Sequence, residues 1–354
     1  VFLVGPNASG KSNLLDAIRF LRDIADPQGG LQRAVGTRHG VSQIRSLHAR
    51  RYPNVAVEVE MDLDQHETWN YRLEFNQTNQ RVPVVEREIV RRGERVLRQR
   101  PDVDDEQDPK RRIQTHLEQL NANKEFRDLA GFFAQVRYLH LVPQLVREPE
   151  RSVGRFRDPF GGDFLEQLFR TPKKTRDSRL RRIQAALRVA VPQMKVLDTF
   201  RDDATGVAHL KGLYEHWRPN AGWQTEDQLS DGTLRLLGLL WVFLDGAAPL
   251  LLEEPELSLH AAVVRQIPRM IQSLARRSGR QVLLSTHSAE LLADEGIAAE
   301  EVLLLEPTTE GTRVRVAAED SQVQALLAGR VPLADAIVPR TAPARTNQLA
   351  LFGE

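Results

Sequence analysis

The 354-residue sequence contains no cysteine. That excludes disulfides, thiolate nucleophiles and cysteine-ligated metals, and fits a reducing compartment. No apolar run approaches the roughly 18 residues needed to span a bilayer, and no signal peptide is visible, so a cytoplasmic protein without a membrane partner is expected. Net charge is nearly absent as well, at +1, so any attraction to nucleic acid has to come from local patches. No internal repeats are visible. What remains is ordinary for a globular chain: 41% hydrophobic and 27% charged residues, enough at this length for one large buried core or two smaller ones.

The chain opens as "VFLVGPN", inside an apolar strand and without methionine, so edge strands are expected upstream. Residues 1–4 read as a buried strand and Asn13 to Ala25 as a helix with apolar Leu14, Leu15, Ile18 and Leu21. Strict alternation through Val55, Val57, Val59, Met61 and Leu63, then Trp69, Tyr71, Leu73 and Phe75, predicts a hairpin over 55–75. Two further strands are expected around the Arg92-Gly93 turn. The period predicts helix over 111–136 and 163–191, a short strand over 137–143, and a hairpin around "DDATG" at 202–206. The last third alternates strands (249–253, 281–285) with helices (259–277, 289–294), then a hairpin over 302–316 and a helix over 321–328. A meander followed by βα alternation implies an α/β fold with an antiparallel β subdomain and a helical insertion. The expected divisions are 1–145, 146–228, 229–338 and a flexible Pro-rich tail, 339–354.

"GPNASGKS" matches G-x-x-x-x-G-K-[ST] between a predicted strand and a predicted helix. Gly5, Pro6, Asn7, Ala8, Ser9 and Gly10 would turn backbone N–H groups toward phosphates, joined by Asn13 at the helix start. Lys11 would reach the β/γ oxygens and Ser12 would place its hydroxyl on Mg²⁺. "LLLEEPELSLH" adds a buried strand ending in Glu253 and Glu254. Neighbouring strand residues face opposite ways, so one acid would serve the Mg²⁺ shell while the next polarises a water. His287 follows the strand of "QVLLSTHS", where open α/β sheets bind ligands. A second anion-favouring feature is "LSDGTLRLLGLL", in which Ser230 and Gly232 open an apolar helix.

Taken together these motifs resemble the ABC-type ATPase heads, in their SMC/RecF/OLD-like branch. The resemblance spans most of the chain and is weakest between residues 30 and 220. It implies that Gly5–Ser12 is the Walker A loop, Leu250–Glu254 Walker B with Glu254 as catalytic base, and "LSDGT" the signature motif. It likewise implies that "ELSLH" (256–260) is the D-loop and His287 the switch histidine. ATP and Mg²⁺ are the implied ligands, and the signature motif would bind the γ-phosphate held by a second copy, making a head-to-tail dimer. Two departures stand out. Glu253 replaces the usual Asp before the catalytic Glu, which would slow hydrolysis. The Q-loop glutamine, a further Mg²⁺ contact, is assigned to Gln144, with Gln43 as the alternative.

Lys11 and Ser230 lie about 220 positions apart, wider than the resemblance implies for transporter subunits. The first reading is therefore an ATP switch in DNA repair, DNA maintenance or anti-phage defence, working with a separately encoded effector such as a nuclease. A transporter ATPase subunit and a nucleotide-gated scaffold with negligible hydrolysis are the alternatives. The basic stretch 170–188, with Arg170, Lys173, Lys174, Arg176, Arg179, Arg181, Arg182 and Arg188, is the candidate DNA contact. The alternative for that stretch is a solvated helix face. Gln348 to Phe352, "QLALF", resembles a sliding-clamp docking peptide on a flexible leader.

Overall fold

The computed structural model describes residues 1–46, 52–63, 67–152, 158–218 and 221–342. The chain divides into two compact units. The first comprises Val1–Lys11, Arg137–Glu306 and Val314–Glu354, and the second Ser12–Val136 and Pro307–Arg313. The helix Lys11–Ala25 begins in the first unit and continues in the second.

Thirteen strands are described. They are β1 (Phe2–Val4), β2 (Val55–Asp62), β3 (Thr68–Gln77), β4 (Pro83–Arg92), β5 (Arg95–Arg100), β6 (Arg137–Leu139) and β7 (Met194–Arg201). The rest are β8 (Ala208–Tyr214), β9 (Trp223–Thr225), β10 (Leu250–Glu253), β11 (Val282–Thr286), β12 (Val302–Thr308) and β13 (Gly311–Val316). In the first unit a six-stranded sheet runs β13-β12-β1-β11-β10-β6, with β12, β1, β11, β10 and β6 paired parallel. Strands of this kind are buried on both faces and read as unbroken apolar runs. "FLV" and "LLL" are such runs, and Phe2, Val4, Leu250, Leu252, Val282 and Leu284 share one core. A separate antiparallel sheet, β7-β8-β9, caps a second core with Leu180, Ile183 and Leu187 from the helix Lys173–Ala190.

The second unit is an antiparallel sheet, β2-β3-β4-β5. The aligned positions Trp69, Tyr71, Leu73 and Phe75 are buried with Phe20, Leu21 and Ile24 of the Lys11–Ala25 helix. Fold class and antiparallel subdomain are as the sequence implies.

Three predicted helices are interrupted, each for a visible reason. The one over 163–191 breaks into Phe164–Arg170 and Lys173–Ala190 at Pro172. Over 111–136 only Arg127–Gln135 is α-helical. The backbone N–H groups of His116 and Leu117 instead donate to the Glu88 carboxylate at 2.7 and 3.1 Å. The Asn123 side-chain amide donates to Leu117 O. Side-chain partners here replace the helical ladder. Over 259–277 the helix is split into Ala261–Val264 and Ile267–Ser278. Pro268, with no N–H to donate, starts the second piece.

Candidate functional site

β1, β10 and β11 lie side by side, with Val4 paired to Thr286 and Glu253 to Ser285. The residues that follow these strands, Gly5, Glu254 and His287, therefore leave the sheet along one edge, the carboxyl edge at which open α/β sheets take ligands.

The Gly5–Lys11 loop is tightly wound: Ala8 (φ 61°) and Gly10 (φ 93°) are left-handed, and Ser9 N–H donates to Pro6 O at 3.2 Å. Gly5 tolerates no side chain, since a Cβ there would sit 2.4 Å from Leu305 O. Lys11 is buried and its Nζ donates to Gly5 O (2.9 Å) and Pro6 O (3.1 Å). Burial lowers the Lys11 pKa, with the nearby carboxylates of Glu254, Glu253 and Glu256 acting the other way. Asn7 stands exposed on the loop, and Ser12 and Asn13 are exposed on the first helical turn.

Glu253 ends β10, and the Tyr138 hydroxyl of β6 donates to its Oε2. Glu254 does not continue the strand. It turns at φ 42°, a conformation rare outside glycine, and its N–H donates to Ser285 O at 3.1 Å. The two acids are thus separated by a left-handed turn rather than by strand alternation. That turn brings Glu254 Oε1 to 3.5 Å from His287 Nε2. Burial lowers the His287 pKa, as does Lys11, with Glu254 opposing, so the ring is neutral at neutral pH.

The helix Asp231–Phe243 is capped by Ser230, whose hydroxyl accepts from Thr233 N–H at 3.2 Å. The first N–H groups of this helix have no intrahelical acceptor. Gly232 is fixed by close approach: a Cβ there would lie 2.6 Å from Ser258 O, in the "ELSLH" loop, where Ser258 itself has φ 60°. Gln144 lies on the short helix Pro143–Val146, with its amide 3.5 Å from Asp231 Oδ2. Next to it Arg147 donates to Leu229 O (2.7 Å) and Asp231 Oδ1 (2.5 Å). Gln43 is exposed on the helix Val41–Ile44 of the other unit.

Three residues escaped the sequence reading. Tyr138 could be found only once β6 was known to pair with β10. Glu256 accepts from Thr286 Oγ1 (2.6 Å) and His287 N–H (3.3 Å), while its buried Oε2 has no hydrogen-bond partner among the described residues. Burial raises its pKa. Arg235 is the lone cation within "LRLLGLL", a signal that was present but unread. Its buried Nε has no hydrogen-bond partner among the described residues. Burial lowers its pKa against the attraction of Asp231, Glu254 and Glu256.

The basic stretch is less free than its sequence suggests. Arg176 stacks on Phe169 at 4.3 Å. Arg179 pairs with Asp245 (3.1 Å) and covers Trp241, and Arg188 donates to Lys195 O. Lys173, Lys174, Arg181 and Arg182 are exposed. Gln348–Phe352, the candidate clamp peptide, lies outside the described residues.

Residues 1–293 match the family described as "AAA domain, putative AbiEii toxin, Type IV TA system". The chain belongs to that family. Its members are P-loop ATPases of the AAA type, as the Gly5–Ser12 loop requires. Among solved structures the chain is similar to an SMC head bound to the C-terminal winged-helix domain of ScpA. The two share 15% identity over 89% of this chain and 88% of that one, with a TM-score of 0.53. It is also similar to the Pyrococcus furiosus SMC head with an extended coiled coil, at 13% identity over 93% of both chains and a TM-score of 0.48. The fold is that of an SMC-type ABC ATPase head. No curated protein matches. No described helix is long and apolar enough to cross a membrane.

Proposed function

We propose that this AAA-family protein is an ATP-hydrolysing switch that closes head-to-tail on ATP with a second copy of itself. The observation that carries the reading is the cluster at the sheet edge: buried Lys11, Glu254 within reach of His287, and a glycine-walled loop that a Cβ would obstruct. In this reading the phosphates lie on the N–H groups of Gly5–Lys11 and the first turn of the helix, and Lys11 exchanges its loop carbonyls for phosphate oxygens. Glu254 accepts a proton from the attacking water as its oxygen bonds to the γ-phosphorus, and ADP departs. Neutral His287 offers a hydrogen bond to the γ-phosphate.

Glu253, oriented by Tyr138, and the Ser12 hydroxyl are the groups that would hold Mg²⁺, which neutralises phosphate charge when bound. Among the described residues no group of three His, Asp or Glu side chains could hold a metal alone, which suits an ion that relies on phosphate and water oxygens. Gln144 stands with the signature helix, and we assign it there. Ser230, Gly232 and the helix start would meet the γ-phosphate of the partner copy. The family's description names a toxin–antitoxin system, which favours the defence branch over repair, with a separately encoded effector. Lys173, Lys174 and Arg181 are the DNA-facing candidates.

The test is the solution mass of Glu254→Gln with and without Mg-ATP. A monomer that doubles in mass only with ATP, and no longer hydrolyses it, is expected. A mass unmoved by bound ATP would overturn the switch.

A further inference from the structure

A groove of about 550 Å³ lies on the first unit, away from every residue assigned above to nucleotide chemistry. Three helices build it: Lys173–Ala190, the C-terminal half of Asp231–Phe243, and Ile267–Ser278. The floor is apolar, with Ile183, Leu240, Phe243, Leu244, Met270 and Leu274. The rim carries Arg182, Arg269 and Arg277, and no acidic residue lines it. Arg269 is paired with Asp294 at 2.9 Å. Arg182 and Arg277 are exposed and face no carboxylate among the described residues. Beside the groove, Ala185 and Val189 extend the apolar surface along the helix, Val189 being 85% exposed.

The two halves of this surface ask for different things. The arginines alone would suit a phosphate backbone. A duplex laid on them would leave the half-buried floor residues Leu240, Leu244, Met270 and Leu274 with no apolar group to cover them. An amphipathic helix with an acidic outer face satisfies both, burying its apolar stripe on the floor and setting carboxylates against the rim. The third helix lines the groove from Gln266 to Ser278, a wall of about 18 Å at 1.5 Å per residue, long enough to flank about three turns.

We propose that this groove is the docking site for an acidic amphipathic helix of a partner protein. The site goes beyond the ATP switch and does not depend on it, so its test is made without nucleotide.

The probe is an 18-residue helical peptide with leucine at i, i+3, i+4 and i+7 and glutamate on the other face, followed by fluorescence anisotropy with the whole chain. Its control carries lysine at every glutamate position. The glutamate peptide should bind at least about tenfold more tightly than the control and weaken as salt rises. Arg182→Glu with Arg277→Glu should reduce binding by about tenfold or more. Ser273 is exposed on the groove wall, so Ser273→Trp should block it while leaving thermal unfolding and ATP hydrolysis unchanged. Equal binding of the two peptides, or no effect of Ser273→Trp, would overturn the proposal. So would a duplex that needs both arginines while the glutamate peptide fails to bind. A nucleotide-free dimer abolished by Ser273→Trp would make the groove a self-interface and equally defeat it.

Discussion

Each unit holds a cluster of charge, and the two clusters are built in opposite ways. In the second unit the buried carboxylates of Glu88 and Asp105 and the half-buried one of Glu118 have every oxygen supplied. Glu88 accepts from Tyr71 Oη, His116 N–H and Leu117 N–H. Glu118 accepts from Leu31 N–H and Thr115 N–H, and Asp105 from Arg100 and Asp102 N–H. At the sheet edge of the first unit, Glu256 Oε2 and Arg235 Nε are buried with no hydrogen-bond partner among the described residues, and Lys11 is held by loop carbonyls. A saturated polar network specifies structure, because each member would be costly to leave unpaired. An unsaturated one keeps capacity for something that arrives, and is where function concentrates.

The largest effect should separate the two clusters by stability. Arg100→Met strands Asp105 in the interior and should cost about 3–5 kcal/mol in urea unfolding, as breaking a buried pair does. Arg235→Gln removes a cation that is not hydrogen-bonded through Nε. It should shift stability by less than about 1 kcal/mol and yet lower ATP turnover by about tenfold or more, by loosening the field around Glu254. If Arg235→Gln instead unfolds the chain and spares turnover, the distinction between the clusters fails.

A smaller effect is the pH dependence of the second unit. Burial raises Glu118 from 4.5 to about 7, so the native chain keeps a proton that the unfolded chain has lost, and stability falls as pH rises through that window. Burial, with Arg100 nearby, lowers His116 from 6.5 to about 4. The unfolded chain then takes the proton first, and stability falls as pH drops from 6.5 toward 4. The slopes oppose one another up to about pH 6.5, and above it Glu118 acts without His116. Glu118→Gln keeps one acceptor oxygen for the Leu31 and Thr115 N–H groups and turns an NH2 toward the other; it should lower the urea midpoint overall and flatten its decline between about pH 6.5 and 7.5. The smallest change is expected from Glu256→Gln at alkaline pH. Because burial already disfavours its charge, the substitution should raise the unfolding midpoint slightly. A marked loss of stability would show that the Glu256 charge is structural.

The sequence by itself determined the α/β class, the Gly5–Ser12 loop, the buried strands ending at Val4, Glu253 and, to within a residue, Thr286, and the helix opening at Ser230. Each of these is a local matter. Apolar runs seek burial, glycine permits left-handed turns, and a small residue is needed wherever two backbones approach, as at Gly5 and Gly232. Tertiary structure alone decided the breaks in 111–136, the turn that brings Glu254 near His287, and the engagement of Arg176, Arg179 and Arg188 within the fold. It also decided the partners of Glu253 and Glu256, which come from β6 and from the end of β11. Most of those outcomes depend on partners more than 20 residues away in sequence, the contacts of Arg176 with Phe169 and of Arg188 with Lys195 being local exceptions. No periodicity records such neighbours, because a hydrogen bond between distant segments leaves no spacing in either one.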